Sequence, residues 1–219
     1  MTDALPVELE LRTARAVEIL TAGGLVAYPT DTLYGLGANA FLEPAVAKVF
    51  AVKRRPPDQP LPLLLADAGQ LDWVAQDIPE IARRLADAYW PGALTLVVPR
   101  AACVPLLVTG GAPTVGVRVP AHPVPRELAR RLAAPLTGTS ANRSGGPSPT
   151  TADEVRAQLG ADVDLIIDGG PCALGTPSTI VDVSSEPPRV LRVGAVTLAD
   201  LGRRFPGVRW SAAGGPALF

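Results

Sequence analysis

Two hydrophobic periods alternate along this chain, and no other feature narrows its fold as much. Ala14, Val17 and Leu20 share a helical face, which Ala22, Gly23 and Gly24 bring to an end. "LVAYPT" (25–30) then reads as a buried strand. "EPAVAKVFAVK" (43–53) has helical spacing in Val46, Val49 and Phe50, and "LPLLLA" (61–66) returns to strand length. A helix through Ile81, Leu85 and Ala88 (79–89) precedes two strands, "LTLVVP" (94–99) and "TVGVRVP" (114–120). Pro125, at a position that needs no N–H, opens a helix over 125–133. "PLTGTS" (135–140) is a strand leading into a polar loop, and Thr151 with Glu154 has capping-box spacing for a helix over 151–159. "DLIIDGG" (164–170), "STIVDVS" (178–184) and "RVLRVG" (189–194) are strands, and "VTLADLGRRF" (196–205) is a last helix.

Interspersed helices and strands predict an α/β fold. The late strands have connections too short for crossover helices, which excludes a purely parallel array. The expected architecture is one domain over residues 1–205, a twisted mixed parallel/antiparallel sheet flanked by helices. Residues 206–219 have no clear period and are expected to form a partly disordered tail. With 219 residues, 47% of them hydrophobic, the chain has ample material for a core, and its 24 Pro and 21 Gly are spread out as turns rather than gathered in a disordered tract.

Charge and residue counts exclude several functions. A net charge of −1 argues against non-specific binding along a nucleic-acid backbone, so any nucleic-acid contact is expected to be weak or indirect. Cys103 and Cys172 form no CxxC, which fits a reducing compartment. The one histidine, His122, lies in the proline-flanked turn "VPAHPVP", leaving neither a zinc-ligand set nor a convincing Ser-His-Asp triad. The N-terminus carries early acids and no signal-like apolar run, and no stretch reaches the roughly 20 apolar residues of a membrane span. A cytoplasmic protein with no stable membrane contact is expected.

Short motifs mislead in places. "GLGANA" (35–40) matches a permissive dinucleotide pattern, but Asp58, near the required acidic position, lies in a proline-rich turn. "GTSAN" lacks the last glycine of a hydrolase elbow. More informative are the cations at or beside strand ends: Lys53, Arg54 and Arg55, Arg118 within an apolar strand, and Arg192. An arginine inside such a strand is rarely buried without an anion. The loop "TSANRSGGPSPT" adds Thr139, Ser140, Asn142, Arg143 and Ser148, whose hydroxyls and neighbouring backbone N–H groups suit an anion nest. The combination points to an anionic small molecule, best a nucleotide polyphosphate.

"AGGLVAYPTDTLYGLGANAF", "KRRPPDQPL", "VGVRVP", "TSANRSGGPSPT", "STIVDV" and "VLRVG", in this order over about residues 10–203, resemble the YrdC/Sua5 family, the threonylcarbamoyl-AMP synthases. The family's paired KxR and SxN motifs fall on Lys53-Arg54-Arg55 and Ser140-Ala141-Asn142. The resemblance implies a YrdC-like fold and a nucleotidyltransferase joining L-threonine, bicarbonate or CO2, and ATP with release of pyrophosphate. The product would pass to a tRNA threonylcarbamoyl-transferase system that modifies the adenosine beside the anticodon. It further implies Lys53 and Arg55 as the catalytic pair on the triphosphate. Thr114, Ser140, Asn142, Ser148 and Arg192 are then ATP contacts, and Thr30, Thr32, Arg118 and Ser178 form the threonine pocket, with Tyr34 nearby. Mg2+ would be held by the ATP phosphates rather than by the protein.

The chain departs from the family pattern at two positions: Leu64 stands where many members have a histidine near the amino acid, and Gln59 where they have asparagine. The second domain and site-covering loop of the longer members have no obvious counterpart, unless the tail contributes. Two other readings are weighed: a YrdC-like RNA-binding or translation-associated module without catalysis, and a carbamoyl-transfer enzyme of the hydrogenase-maturation type.

Overall fold

A computed structural model describes residues 5–212. The elements are α1 (Val7–Thr21), β1 (Val26–Tyr28), β2 (Gly35–Gly37), α2 (Glu43–Lys53), β3 (Leu63–Leu64), α3 (Leu71–Val74), α4 (Glu80–Tyr89), β4 (Leu94–Pro99), α5 (Leu106–Thr109), β5 (Thr114–Arg118), α6 (Pro123–Leu132), β6 (Leu136–Thr137), β7 (Thr139–Ser140), α7 (Ala152–Gln158), β8 (Leu165–Ile166), β9 (Thr179–Asp182), β10 (Arg189–Arg192), α8 (Leu198–Arg204) and β11 (Ser211–Ala212). The expected mixed parallel/antiparallel α/β architecture is present, but the strands divide between two sheets. One has the order β7-β2-β1-β8, the other β11-β10-β9-β4-β5-β3-β6. In the second, β4 lies antiparallel to β5 and parallel to β9, and β3 lies parallel to β5.

The division hinges on one run. "PLTGTS" does not form one strand: Leu136–Thr137 joins the larger sheet, and Thr139–Ser140 joins the smaller one. Between them, Gly138 packs so closely on Leu64 that an added Cβ would stand 2.7 Å from its Cγ. The two glycines of the dinucleotide-like "GLG" serve packing of the same kind. They lie in β2 against the ring of the buried Tyr28, where a Cβ on Gly35 or Gly37 would approach ring carbons to 2.7 and 2.4 Å. A phosphate-binding turn is therefore not what these glycines provide.

Several helix expectations shift. The face that α1 buries is Thr13, Ala16 and Leu20, not one through Ala14, which is exposed. Helix α6 starts at Pro123 after an N-cap at His122, whose Nδ1 accepts from Val124 N at 3.2 Å; the lone histidine thus has the turn role expected of it. The Thr151/Glu154 capping box is formed, and Thr197 with Asp200 makes a second at α8 that the sequence reading did not single out. Past Pro206 the chain adds β11 beside β10; the rest of the expected tail, 213–219, lies outside the described residues.

The main core joins Leu36, Val46, Leu63, Leu96, Val117 and Val181, all fully buried. Each contributes about 1.5–3 kcal/mol by leaving water. A second cluster packs Leu20 of α1 and Leu128 of α6 over Tyr28 and Leu136. No helix among the described residues is long and apolar enough to cross a membrane.

Candidate functional site

Both sheets contribute to one cleft of about 160 Å3. That is below the ~300–1,000 Å3 of usual ligand pockets, so it encloses something of amino-acid size, and a nucleotide would extend out of it. Its walls hold Thr30, Thr32, Arg55, Arg118, Ser140, Ser148, Ser178 and Arg192. Eight of the residues expected from the sequence are thereby brought together from six separate stretches of chain.

Arg118 closes β5 with only 6% of its side chain exposed. Its Nε donates to Gly92 O (2.8 Å), one terminal nitrogen to Thr32 Oγ1 (2.8 Å) and the other to Asp31 Oδ1 (2.5 Å). A guanidinium has five N–H groups, so these bonds leave one on each terminal nitrogen for a ligand in the cleft. Burial pushes Arg118 down from its ordinary value, and Asp31 opposes that. Asp31 does not line the cleft; its carboxylate also accepts from Ala121 N at 3.1 Å, so it backs the arginine. The sequence reading passed over Asp31, although it lies inside the quoted "PTDTLYG".

The turn before β2 sets the hydroxyls. Thr30 Oγ1 accepts from the N–H groups of Thr32 and Leu33 and donates to Leu33 O (2.7 Å). With its proton committed there, Thr30 receives the Thr32 hydroxyl at 3.0 Å, and Thr32 in turn receives Arg118. Thr30 therefore builds the turn, while Thr32 relays its order to the arginine. Tyr34 donates to Gly170 O, and burial pushes its hydroxyl up to about 12, so it stays protonated at neutral pH. On the opposite wall Ser178 shares a hydrogen bond with Thr95 (2.8 Å), and Arg192 donates to Ser178 O.

The two motifs of the basic and polar segments split by depth. Arg54 caps α2 in the left-handed conformation (φ 53), which separates its neighbours. Arg55 turns to the cleft and donates to the carbonyls of Gln59 and Pro60 (3.3 and 2.9 Å). Gln59, one of the two departures, thus meets the site through its backbone. Lys53 is 1% exposed and points beneath the loop after β7. It donates to Ser140 O, Asn142 O and Asn142 Oδ1. Ser140 faces the cleft; Lys53 and Asn142 are not among its lining residues. Thr114 opens β5 four residues before Arg118, roughly 13 Å away along an extended strand, and is also outside the lining. Leu64 pairs in register with Arg118 and puts an apolar side chain in the cleft wall beside it, with Gly138.

Comparison with known proteins gives a consistent picture. The Sua5/YciO/YrdC family model, described as telomere recombination, matches residues 18–194. A Pyrococcus abyssi relative named threonylcarbamoyl-AMP synthase is 43% identical over 194 residues, 89% of this chain and 57% of its own length. One of the same name from Stenotrophomonas maltophilia is 39% identical over 178 residues, 80% of this chain and 96% of its own. The crystal structure of P. abyssi Sua5 complexed with L-threonine matches with a TM-score of 0.90 at 40% identity, covering 95% of this chain and 64% of that one. The chain thus spans little more than half of its P. abyssi relative and nearly the whole of the S. maltophilia one.

Proposed function

The chain belongs to the Sua5/YciO/YrdC family, and on that premise we propose that it is a threonylcarbamoyl-AMP synthase. The observation that carries the reading is the buried Arg118, with an N–H on each terminal nitrogen left for the cleft and Thr32 and Ser178 on either side. A carboxylate is the natural partner of such a guanidinium. L-threonine would place its carboxylate there and its methyl against Leu64, with Ser178 completing the pocket. Arg55 and Arg192 on the same walls, with the Ser140 and Ser148 hydroxyls, would align the triphosphate that extends from the cleft. The amine, having taken up CO2 or bicarbonate as a carbamate, attacks the α-phosphorus through a carbamate oxygen, and pyrophosphate leaves. Two anions must meet in this step, so neutralisation and alignment carry more of the rate than covalent help.

Among the described residues no group of three or more His, Cys, Asp or Glu comes together. The residues present fit Mg2+ brought in on the triphosphate, with Ser140 and Ser148 as neutral oxygens at hand. The ion would neutralise phosphate charge. The free Cys103 and Cys172 suit a cytoplasmic site of action, and the product's mixed anhydride suits transfer to a tRNA-modifying system.

The test is pyrophosphate release with ATP, bicarbonate and Mg2+, with and without L-threonine, against L-serine and D-threonine. Release that requires L-threonine and collapses in Arg118→Ala supports the reading; release indifferent to the amino acid refutes it.

A further inference from the structure

The segment after β7, from Ala141 to Ser148, holds Asn142, two serines and two glycines, along with Ala141, Arg143 and Pro147. Such a sequence has no preferred shape of its own, and its tip at Ser144 and Gly145 is exposed. Yet its ends must present Ser140 and Ser148 to the cleft. What fixes its first half is Lys53, while Gln158 Nε2 and Tyr34 N hold the far end through Pro147 O and Pro149 O, each at 2.9 Å. The ammonium donates to Ser140 O at 2.5 Å, Asn142 O at 2.7 Å and Asn142 Oδ1 at 3.0 Å. An ammonium has three donors, so all are spent inside the protein.

The surrounding bonds have the same sense. Ser144 N donates to Lys53 O (2.9 Å), Ser140 Oγ to Asn142 Oδ1 (2.6 Å), and Asn142 Nδ2 to Gly146 O (2.7 Å). Arg143 ties the segment to Val52 O and to Asp162. To reach a phosphate, Lys53 would have to abandon buried carbonyls, and an acceptor left unpaired in the interior is costly. Arg55, two residues on, already faces the cleft.

We propose that Lys53 is a positioning residue, which holds the first half of the loop 140–148 in the shape that turns Ser140 to the nucleotide and touches no phosphate itself. The proposal rests on the synthase reading for the identity of that nucleotide. Lys53 and Asn142 then form the inner scaffold of the two motifs, and Arg55 and Ser140 their working face.

Amide hydrogen exchange on the ligand-free protein, paired with calorimetric binding of ATP with Mg2+ and of L-threonine, separates the alternatives. In Lys53→Met, exchange at residues 140–146 is expected to rise at least about tenfold while β4 keeps its rates. ATP affinity should fall about tenfold or more, its salt dependence should stay as in the wild type, and L-threonine affinity should not change. Asn142→Ala, with the lysine charge intact, should give the same pattern. A shallower salt dependence in Lys53→Met, with or without loop opening, marks a lost phosphate contact and overturns the proposal. Loop opening with ATP affinity untouched overturns it too. Should Lys53→Met fail to fold, Asn142→Ala decides: a loop still protected there refutes the scaffold. A wild-type protein that binds no ATP defeats the synthase reading instead, and the exchange result still reports on the loop.

Discussion

Removing Asp31 tests the central geometry of the cleft. Its pair with Arg118 is among the least exposed in the protein, with side chains 6% and 11% exposed and 2.5 Å between charges. In Asp31→Ala, Arg118 keeps Gly92 O and Thr32 Oγ1 but loses its only paired carboxylate among the described residues. Breaking a buried pair from one side typically costs about 3–5 kcal/mol. At about 2–4 °C per kcal/mol for a chain of this size, Tm should drop roughly 6–20 °C. Replacing both partners, as in Asp31→Leu with Arg118→Met, should recover most of that loss, because the penalty lies in the orphaned charge.

The same variant links stability to the ligand. Arg118 lines the cleft and Asp31 does not, so a carboxylate entering the cleft can supply the missing charge. L-threonine should therefore raise the Tm of Asp31→Ala by more than it raises the wild type, and scanning calorimetry over a threonine series measures both shifts. An Asp31→Ala protein within about 1 kcal/mol of wild type, or one with a threonine shift no larger than the wild type's, refutes the assignment of Arg118 as a buried, carboxylate-seeking charge.

Three further outcomes follow from the contacts. Gly138→Ala should destabilise by about 1–3 kcal/mol in urea unfolding, since its Cβ would press on Leu64 Cγ and Cδ2 at 2.7 and 2.9 Å; adding Leu64→Ala should relieve part of the strain. Leu64→Ala alone should narrow the preference for L-threonine over L-serine in pyrophosphate release, because one buried methyl is worth about 1–3 kcal/mol of discrimination. For pH, burial pushes Asp182 up, but the Ser184 hydroxyl, Arg189 and the Ser184 N–H outweigh it and hold the carboxyl below its usual range. A depressed carboxyl adds stability above the unfolded value of about 3.9 that is lost as pH falls through the folded value, so Asp182→Asn should flatten the acid limb of the stability curve.

Periodicity made the elements legible, and it failed where tertiary partners decide. Helix α2 matches its expected span because Val46, Val49 and Phe50 alternate with solvent positions, and β4 matches because all of "LTLVV" is buried. "PLTGTS" reads as one strand because nothing local says that its halves pair with different sheets; the cause is the close packing of Gly138 on Leu64, residues 74 apart in sequence. The face of α1 differs from its expected one for a local reason: the Thr13 hydroxyl donates to Leu9 O four residues back in the same helix, which lets Thr13 face the core.

At the site, residue type announced the chemistry but not the depth. Arg118 could be singled out because a cation in an apolar strand needs an anion. The anion it has, Asp31, looks like any turn aspartate until β5 and the turn before β2 are brought together. Lys53 and Arg55 look equivalent in the sequence, as two cations flanking a third. A left-handed Arg54 sends one beneath the loop and the other to the cleft. A motif that names both residues thus covers two physical roles. A ligand's charge would act on Arg55 directly, but it would feel Lys53 only through the loop that Lys53 holds.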